Sequence, residues 1–573
     1  MAKVNEQRSL IIYIIILVLA GAVFFNLYTI SISDYTKVLP ALTNQYTRKF
    51  TAAERRGFIF DRNGGIIAGF DDGYNCVVDP SKLFLAGIAA ENAAEKIYAL
   101  RSSPDITKEN IYESLLDGKP FVIRIKENTN NEYMTSFQTY KRNESFTPPA
   151  LHIIGYVDKS GSGVSGIEKA YDDLLKETSS KVDVVYSSNA LQQSFGGSPL
   201  RIIDYGYNKK TGISLTLDTD LQKKVDEIAD RDLLKGAVVV ASAATGEILA
   251  GASRPVYSLE NMADYIGSEN GEFVNRVFSS FTPGSVFKTI VAAAALEEDI
   301  NYYNKEYTCV GEIDAGGKIF KCNNIRGHGA LTMRDAYAKS CNTYFMNLAL
   351  EIGYDKIYAM AKKLGIGENN LLDGLTVQSG NIPEKENPPP AFTANTAIGQ
   401  GELLITPLEA VRIFCCIANN GVMPELSLVK SFIFDDGTED VQNHSSEKVL
   451  SDDTVKCLIE MTKACVEYGT GSSAAPEYGA AGGKTSSAES GQYIDTEVIN
   501  EDTGETEIKK VQIVHSWFSG YYPANESPDE NYDVYAISII AEGGVTENIK
   551  SANIFKEICD YIAQTKFGVQ ITG

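Results

Sequence analysis

The first hydrophobic feature of the chain is an uncharged run over residues 10–28. A helix needs about 20 residues to cross a lipid bilayer, and this run is nearly that long. A cleaved signal peptide is the competing interpretation, because Ala20, Gly21 and Ala22 resemble a small-residue cleavage site. The apolar run continues past that site to Leu27, which favours an uncleaved, single-pass membrane anchor with the bulk of the chain outside the cytoplasm.

The pattern after residue 205 alternates between strand and helix periods. A continuous apolar run over residues 236–242 predicts a buried strand, and residues 244–250 predict a turn and a return strand. Helical spacing dominates residues 286–364 and 407–419, strand patterns return at 511–521 and 534–541, and a final helix is expected at 551–565. Strands at both ends with helices between them predict an α+β domain whose terminal segments share one antiparallel sheet.

Breaks in this pattern predict the domain organisation. Hydrophobic periodicity is lost near residues 205–212, where the main boundary is expected. We therefore expect a short tail at 1–9, the membrane anchor at 10–30, a smaller α+β module at 31–205 and the main domain at 206–573.

Charge and the supply of metal ligands exclude some classes of function. The chain has 52 Lys and Arg against 75 Asp and Glu, a formal net charge of −23, so a protein that binds the phosphate backbone of nucleic acid is not expected. The four histidines are far apart, and the nine cysteines lack C-x-x-C spacing. Neither a zinc site nor a disulfide framework is therefore indicated, although Cys309 and Cys322 are close enough in sequence for a bridge to be considered.

One short motif in the main domain suggests nucleophilic chemistry. Ser285 follows the breaker pair Pro283-Gly284 at the start of an apolar helical pattern, and Lys288 lies three residues later on the same helix face. A serine nucleophile needs a neighbouring base, and an amine whose pKa is lowered by burial can supply it. Alone, S-x-x-K is weak evidence, because it often occurs by chance, and it favours Ser285 as a helix-capping residue with Lys288 as a solvated side chain.

Two later motifs change this interpretation. Ser340-Cys341-Asn342 gives S-x-N, and Lys484-Thr485 followed by Ser486-Ser487 gives a K-T-S-S variant of K-T-G. The trio, in this order, resembles the signature of penicillin-recognising serine acyltransferases.

The surrounding residues resemble one branch of that family, the class B penicillin-binding proteins, which are monofunctional D,D-transpeptidases of peptidoglycan synthesis. The resemblance extends over most of the chain from Arg56 to about Ala552. It is carried by Arg56-Gly57-x-Ile59-x-Asp61-Arg62-Asn63-Gly64, Gly166-Ile167-Glu168-x-x-Tyr171, Thr245-Gly246-Glu247-Ile248-Leu249-Ala250, Asn275-Arg276, Pro283-Gly284-Ser285, Gly399-Gln400-Gly401, Thr406-Pro407-Leu408 and Trp517-Phe518-x-Gly520-Tyr521.

The resemblance implies a role for each motif residue. Ser285 would attack the penultimate D-Ala carbonyl of a stem peptide, with Lys288 accepting its proton. Ser340 would relay a proton between Lys288 and Lys484, and Asn342 would bind the peptide amide. Lys484 and Thr485 would hold the substrate carboxylate, and the backbone amides of Ser285 and Ser487 would form the oxyanion hole. The resemblance further implies acylation by β-lactams and no need for a metal or another cofactor.

Ser486 departs from the pattern, since the family usually has glycine at this position. A side chain there narrows the site unless it points away from the substrate. Because side chains alternate along a strand, we expect Ser486 to face away from Thr485.

Three functions remain open from sequence: a transpeptidase, a β-lactam sensor or β-lactamase of the same fold, and a non-catalytic scaffold for wall synthesis. The single anchor disfavours a sensor, the long module disfavours a β-lactamase, and the intact motif residues disfavour a scaffold. As partners, the resemblance implies the membrane, peptidoglycan stem peptides and a SEDS-type glycan polymerase.

Overall fold

The computed structural model describes residues 2–29, 31, 46–142, 146–195, 200–368, 371–499, 506–524, 533–544 and 550–569. By internal packing the chain divides into two compact units. Unit 1 comprises Met1–Arg56, Phe70–Arg142 and Ser179–Lys209, and unit 2 comprises Gly57–Gly69, Asn143–Thr178 and Lys210–Gly573. The sequence-based division at 31–205 and 206–573 stays a prediction.

The strands, in chain order, are β1 Thr47–Arg55, β2 Phe58–Phe60, β3 Phe70–Val78, β4 Phe121–Ile125, β5 Met134–Arg142, β6 Ser180–Ser187, β7 Arg201–Asp204, β8 Gly212–Leu215, β9 Gly236–Ser242, β10 Ile248–Arg254, β11 Tyr307–Cys309, β12 Glu312–Asp314, β13 Ile319–Lys321, β14 Gly329–Leu331, β15 Leu371–Leu372, β16 Leu375–Thr376, β17 Val422–Pro424, β18 Val429–Ile433, β19 Glu439–Val441, β20 Ser446–Lys448, β21 Gly482–Ile499, β22 Thr506–Tyr522 and β23 Tyr535–Gly544.

The α-helices are α1 Ala2–Tyr28, α2 Pro80–Leu85, α3 Ala90–Leu100, α4 Lys108–Asp117, α5 Leu151–Ile154, α6 Gly166–Ala170, α7 Asp172–Glu177, α8 Thr219–Asp232, α9 Lys288–Glu298, α10 Met333–Ala338, α11 Asn342–Ile352, α12 Tyr354–Lys363, α13 Pro390–Ala397, α14 Pro407–Ala418, α15 Asp452–Glu467 and α16 Lys550–Lys566. Within α1, Arg8–Tyr28 is a segment of 21 residues that is long and apolar enough to cross a membrane.

Unit 1 contains two antiparallel three-stranded sheets, ordered β1-β6-β7 and β4-β3-β5. Helices α3 and α4 bury their apolar faces, including Ile97 and Leu115, in one hydrophobic cluster with Val78 and Ile123 of the second sheet. Helix α4 starts at a capping box in which the Thr107 and Asn110 side chains satisfy free backbone amides.

Unit 2 is built on a five-stranded antiparallel sheet ordered β10-β9-β23-β22-β21. Helices α8 and α16 pack in one hydrophobic cluster with residues from β9, β10, β22 and β23. Since β9 and β10 come early in the domain and β22 and β23 come late, the predicted α+β fold with terminal segments in one sheet is confirmed. Among the residues that the structure describes, strand β21 is the last strand in this order and pairs with β22 on one side.

The expectation of helix over residues 286–364 holds only in part. Helix α9 is followed by four short strands, β11 to β14, before α10, α11 and α12 resume the helical pattern. These strands pair as β11 with β14 and β12 with β13. Positive φ angles at Gly311, Gly316 and Gly327 turn the chain between them, because glycine adopts this conformation without a steric penalty.

Candidate active site

Ser285 lies in a 3-10 turn, Gly284–Phe287, immediately before helix α9. Two hydrogen bonds hold the turn in place: the Gly284 amide donates to the Gly399 carbonyl at 3.0 Å, and the Trp517 indole Nε1 donates to the Thr282 carbonyl at 3.0 Å. The second bond ties the turn directly to strand β22. The Ser285 side chain is half-buried and its Oγ lies 3.0 Å from the Ser340 Oγ.

Lys288 is fully buried at the first position of α9. Its Nζ donates to the Ser340 carbonyl at 2.7 Å, to the Asn342 Oδ1 at 2.7 Å and to the Ser340 Oγ at 3.2 Å. Burial, followed by the positive charge of nearby Lys484, holds the Lys288 pKa well below its ordinary value. The amine is thus poised in its neutral, proton-accepting form at a lower pH than a solvated lysine.

Ser340 lies at the centre of the site and contacts three other motif residues. It lies between α10 and α11 with φ of +55°, a left-handed conformation that is uncommon for a residue with a side chain. Its hydroxyl is within hydrogen-bond distance of the Ser285 Oγ, the Lys288 Nζ and the Lys484 Nζ. One hydroxyl therefore connects the predicted nucleophile to both amines.

Lys484 enters the same cluster from strand β21. Its side chain is fully buried, and its Nζ donates to the Ser340 Oγ at 3.1 Å and to the Thr485 carbonyl at 2.9 Å. Burial lowers the Lys484 pKa as well.

Side chains alternate along β21 after this lysine. Thr485 and Ser487 are more accessible, and the Thr485 hydroxyl pairs with that of Thr470 at 2.6 Å. Ser486 is buried on the opposite face, as expected, but the space there is not empty. The Ser285 backbone amide donates to the Ser486 Oγ at 2.7 Å. The amide that the resemblance assigns to the oxyanion hole is therefore already paired with a side chain.

A second cluster, which we call the thiol cluster, is formed by Cys309, Cys322, His328 and Cys341. Their four candidate ligand atoms all lie within 4.8 Å of one another. The His328 Nδ1 is 3.5 Å from the Cys309 Sγ and 3.6 Å from the Cys322 Sγ, and the three cysteines are free thiols. Three thiolates and one imidazole are a donor set that Zn²⁺ takes in structural sites.

The sequence expectation missed this cluster, because its ligands come from separate strands and a helix start rather than from adjacent positions. Cys309 ends β11, and Cys341 is the N-cap residue of α11 between Ser340 and Asn342. An ion bound by these four residues would stabilise the turn that carries the S-x-N motif.

The motif residues Ser285, Lys288, Ser340, Asn342 and Lys484 are thus brought together in unit 2. Residues 236–560 match the protein family described as the penicillin binding protein transpeptidase domain. The chain belongs to this family.

Two proteins with similar sequences are a sporulation protein and a peptidoglycan D,D-transpeptidase. Stage V sporulation protein D of Bacillus subtilis (strain 168) is 29% identical over 364 residues, which cover 61% of this chain and 55% of that protein. The match therefore spans only about half of this relative's length. Peptidoglycan D,D-transpeptidase MrdA of Escherichia coli (strain K12) is 26% identical over 485 residues, covering 74% of each chain.

The fold of this penicillin-binding protein matches a solved structure described as "Structural coordination of polymerization and crosslinking by a peptidoglycan synthase complex". The TM-score is 0.65 at 22% identity, with 97% of this chain and 99% of the other covered. The predicted resemblance to class B penicillin-binding proteins is confirmed by these relatives.

Proposed function

We propose that this chain is a serine-type D,D-transpeptidase that cross-links peptidoglycan stem peptides through an acyl-enzyme. The observation that carries the proposal is the contact of the Ser340 hydroxyl with Ser285, Lys288 and Lys484, each at 3.2 Å or less. This arrangement gives a weakly nucleophilic hydroxyl a route for its proton to a buried amine.

In the first half-reaction, the Ser285 Oγ attacks the carbonyl of the penultimate D-Ala, and its proton passes through the Ser340 hydroxyl to neutral Lys288. The C–N bond then breaks, and the terminal D-Ala leaves as an amine that takes up the proton. In the second half-reaction, the amine of another stem peptide attacks the ester and loses its proton to the same relay. The C–O bond breaks, Ser285 regains its proton and the cross-link is formed.

Strand β21 fits an extended peptide donor. As the last strand of the sheet, it can pair its free backbone groups with a substrate strand, while Thr485 and Ser487 face outward beside them. The charged form of Lys484 and the Thr485 hydroxyl would hold the carboxylate of the terminal D-Ala. Asn342, which receives a hydrogen bond from Lys288 at 2.7 Å, would present its amide to the peptide.

Helix α1 would anchor the enzyme in the membrane by a single span, with the catalytic unit on the extracytoplasmic side where peptidoglycan is assembled. A SEDS-type glycan polymerase is the proposed membrane partner, since cross-linking acts on newly polymerised strands. The structural likeness to a protein solved within a peptidoglycan synthase complex supports this partnership.

Mass spectrometry of the chain after penicillin treatment tests the proposal. We expect one stoichiometric adduct on a peptide containing Ser285, no adduct in Ser285→Ala, and a normal adduct in the control Ser160→Ala, which removes an exposed hydroxyl. An adduct that disappears within minutes indicates a β-lactamase, and no adduct on folded parent protein indicates a scaffold. Either result contradicts the transpeptidase proposal.

A further inference from the structure

The hydroxyl of Ser486 accepts the backbone N–H that the proposed mechanism assigns to the substrate oxyanion. Ser486 is 5% exposed, and its Oγ accepts the Ser285 backbone N–H at 2.7 Å, a short distance for such a bond. Acyl transfer develops negative charge on the carbonyl oxygen under attack, and a backbone N–H aimed at that oxygen stabilises it. A single N–H cannot donate at full strength to both oxygens.

Gly284 makes room for this hydroxyl. A Cβ placed on Gly284 would lie 2.2 Å from the Ser486 Oγ, and the residue has a φ of +54°, which favours glycine. Ala488 borders the same space, because an added Cβ would lie 3.0 Å from the Ala488 Cβ. The hydroxyl therefore lies in a confined space between the catalytic turn and strand β21, next to the Ser285 amide.

We propose that Ser486 lowers the rate of acylation. Its hydroxyl accepts a hydrogen bond from the Ser285 amide in the free enzyme, and this bond has to break before the amide donates to the oxyanion. The inference rests on the proposed function, since it needs Ser285 to be acylated. Release exchanges a neutral hydrogen bond for one to an anion, which is stronger, so acylation proceeds but at a reduced rate. Removing the hydroxyl should raise the rate about 2- to 10-fold.

The test uses full-length protein in detergent and three variants. Ser486→Ala removes the hydroxyl alone, and Ser486→Gly removes the side chain. The matched control Ser538→Ala removes another buried serine hydroxyl of the same sheet, which pairs with Ser519 at 2.8 Å. For each protein, stopped-flow acylation by a fluorescent penicillin gives the non-covalent dissociation constant and the acylation rate constant separately.

We expect the rate constant to rise about 2- to 10-fold in both Ser486 variants, with the non-covalent dissociation constant unchanged and Ser538→Ala at the parent value. A boronic acid, whose tetrahedral adduct with a serine places an anionic oxygen near the Ser285 amide, should bind tighter by the same factor. A purely structural role for Ser486 would not move these two quantities together.

An acylation rate that stays at the parent value or falls in both Ser486 variants would overturn the inference. The parent measurement keeps this outcome separate from a failure of the proposed function. If the parent is acylated at Ser285 but the variants are no faster, only the role of Ser486 is wrong. If the parent shows no adduct at Ser285, the proposed function fails and the inference falls with it.

Discussion

Ser340 combines a strained backbone with a central chemical position, and two substitutions separate these properties. Ser340→Ala and Ser340→Gly both remove the hydroxyl that contacts Ser285, Lys288 and Lys484. They differ in the backbone, because alanine keeps a Cβ at a φ of +55° and glycine does not. Any loss of hydrogen bonding is common to both variants and cancels when they are compared.

The magnitude of the difference follows from the backbone geometry. A side chain in the left-handed region costs about 1–2 kcal/mol relative to the right-handed region, and glycine avoids this cost. Glycine also makes the unfolded chain more flexible, which lowers stability by about 0.4–1 kcal/mol relative to alanine. The net free energy of unfolding should therefore be higher in Ser340→Gly than in Ser340→Ala by about 1 kcal/mol, or about 1 °C in Tm for a unit of this size.

Catalysis should respond differently. Both variants interrupt the proton route, so the second-order rate of acylation by penicillin should fall about 10²- to 10⁴-fold in each, to a similar extent. Thermal unfolding and acylation kinetics on the same preparations check both expectations. Equal or lower stability of the glycine variant would refute the strain argument, and a parental acylation rate in Ser340→Ala would refute the role of the hydroxyl as a relay.

Three further predictions concern other parts of unit 2. Because the Lys288 pKa is lowered and its neutral form accepts the proton, the acylation rate should rise with pH through that pKa. The rate should fall again where Lys484, whose pKa is also lowered, loses the charge that holds the substrate carboxylate, and a rate that falls steadily from acidic to alkaline pH contradicts the role of Lys288. Trp517→Phe leaves the Thr282 carbonyl without its indole donor and should lower the free energy of unfolding by about 1–3 kcal/mol. A Tm equal to that of the parent in a thermal melt would contradict a stabilising role for this hydrogen bond. Elemental analysis should find about one zinc per chain, lost together with stability in His328→Ala, and a metal-free protein with parental Tm contradicts this.

The sheet of unit 2 was predictable because its strands have strong patterns. Every residue of β9 is buried, and such a continuous apolar run distinguishes a central strand from an amphipathic helix. The last helix, expected at 551–565, is α16 at Lys550–Lys566. The strands between residues 307 and 331 were missed, since segments of three residues are too short to show a period and depend on pairing partners distant in sequence.

The members of the candidate site, and part of how they connect, were predictable from the sequence. The family resemblance named Ser285, Lys288 and Lys484 and implied that Ser340 links the two lysines, whereas the distances at which the Ser340 hydroxyl contacts all three come from the structure. Alternation along a strand gave the correct face for Ser486. What lies on that face is a tertiary property, and the sequence offered no sign that the Ser285 amide would be there.

The central position of Ser340 also explains how two buried amines coexist. Lys288 and Lys484 both contact its hydroxyl, and both have lowered pKa values, with the charge of Lys484 contributing to the shift at Lys288. The charge of Lys484 adds to the effect of burial at Lys288, so the charged form of Lys484 favours the neutral form of Lys288. In the structure both amines donate to this hydroxyl and the hydroxyl donates to the Ser285 Oγ, so transfer of the Ser285 proton to Lys288 requires the hydrogen bonds between Ser285, Ser340 and Lys288 to reverse. In the proposed reaction, the proton from Ser285 passes through the Ser340 hydroxyl to neutral Lys288. The same hydroxyl then returns the proton to the leaving group.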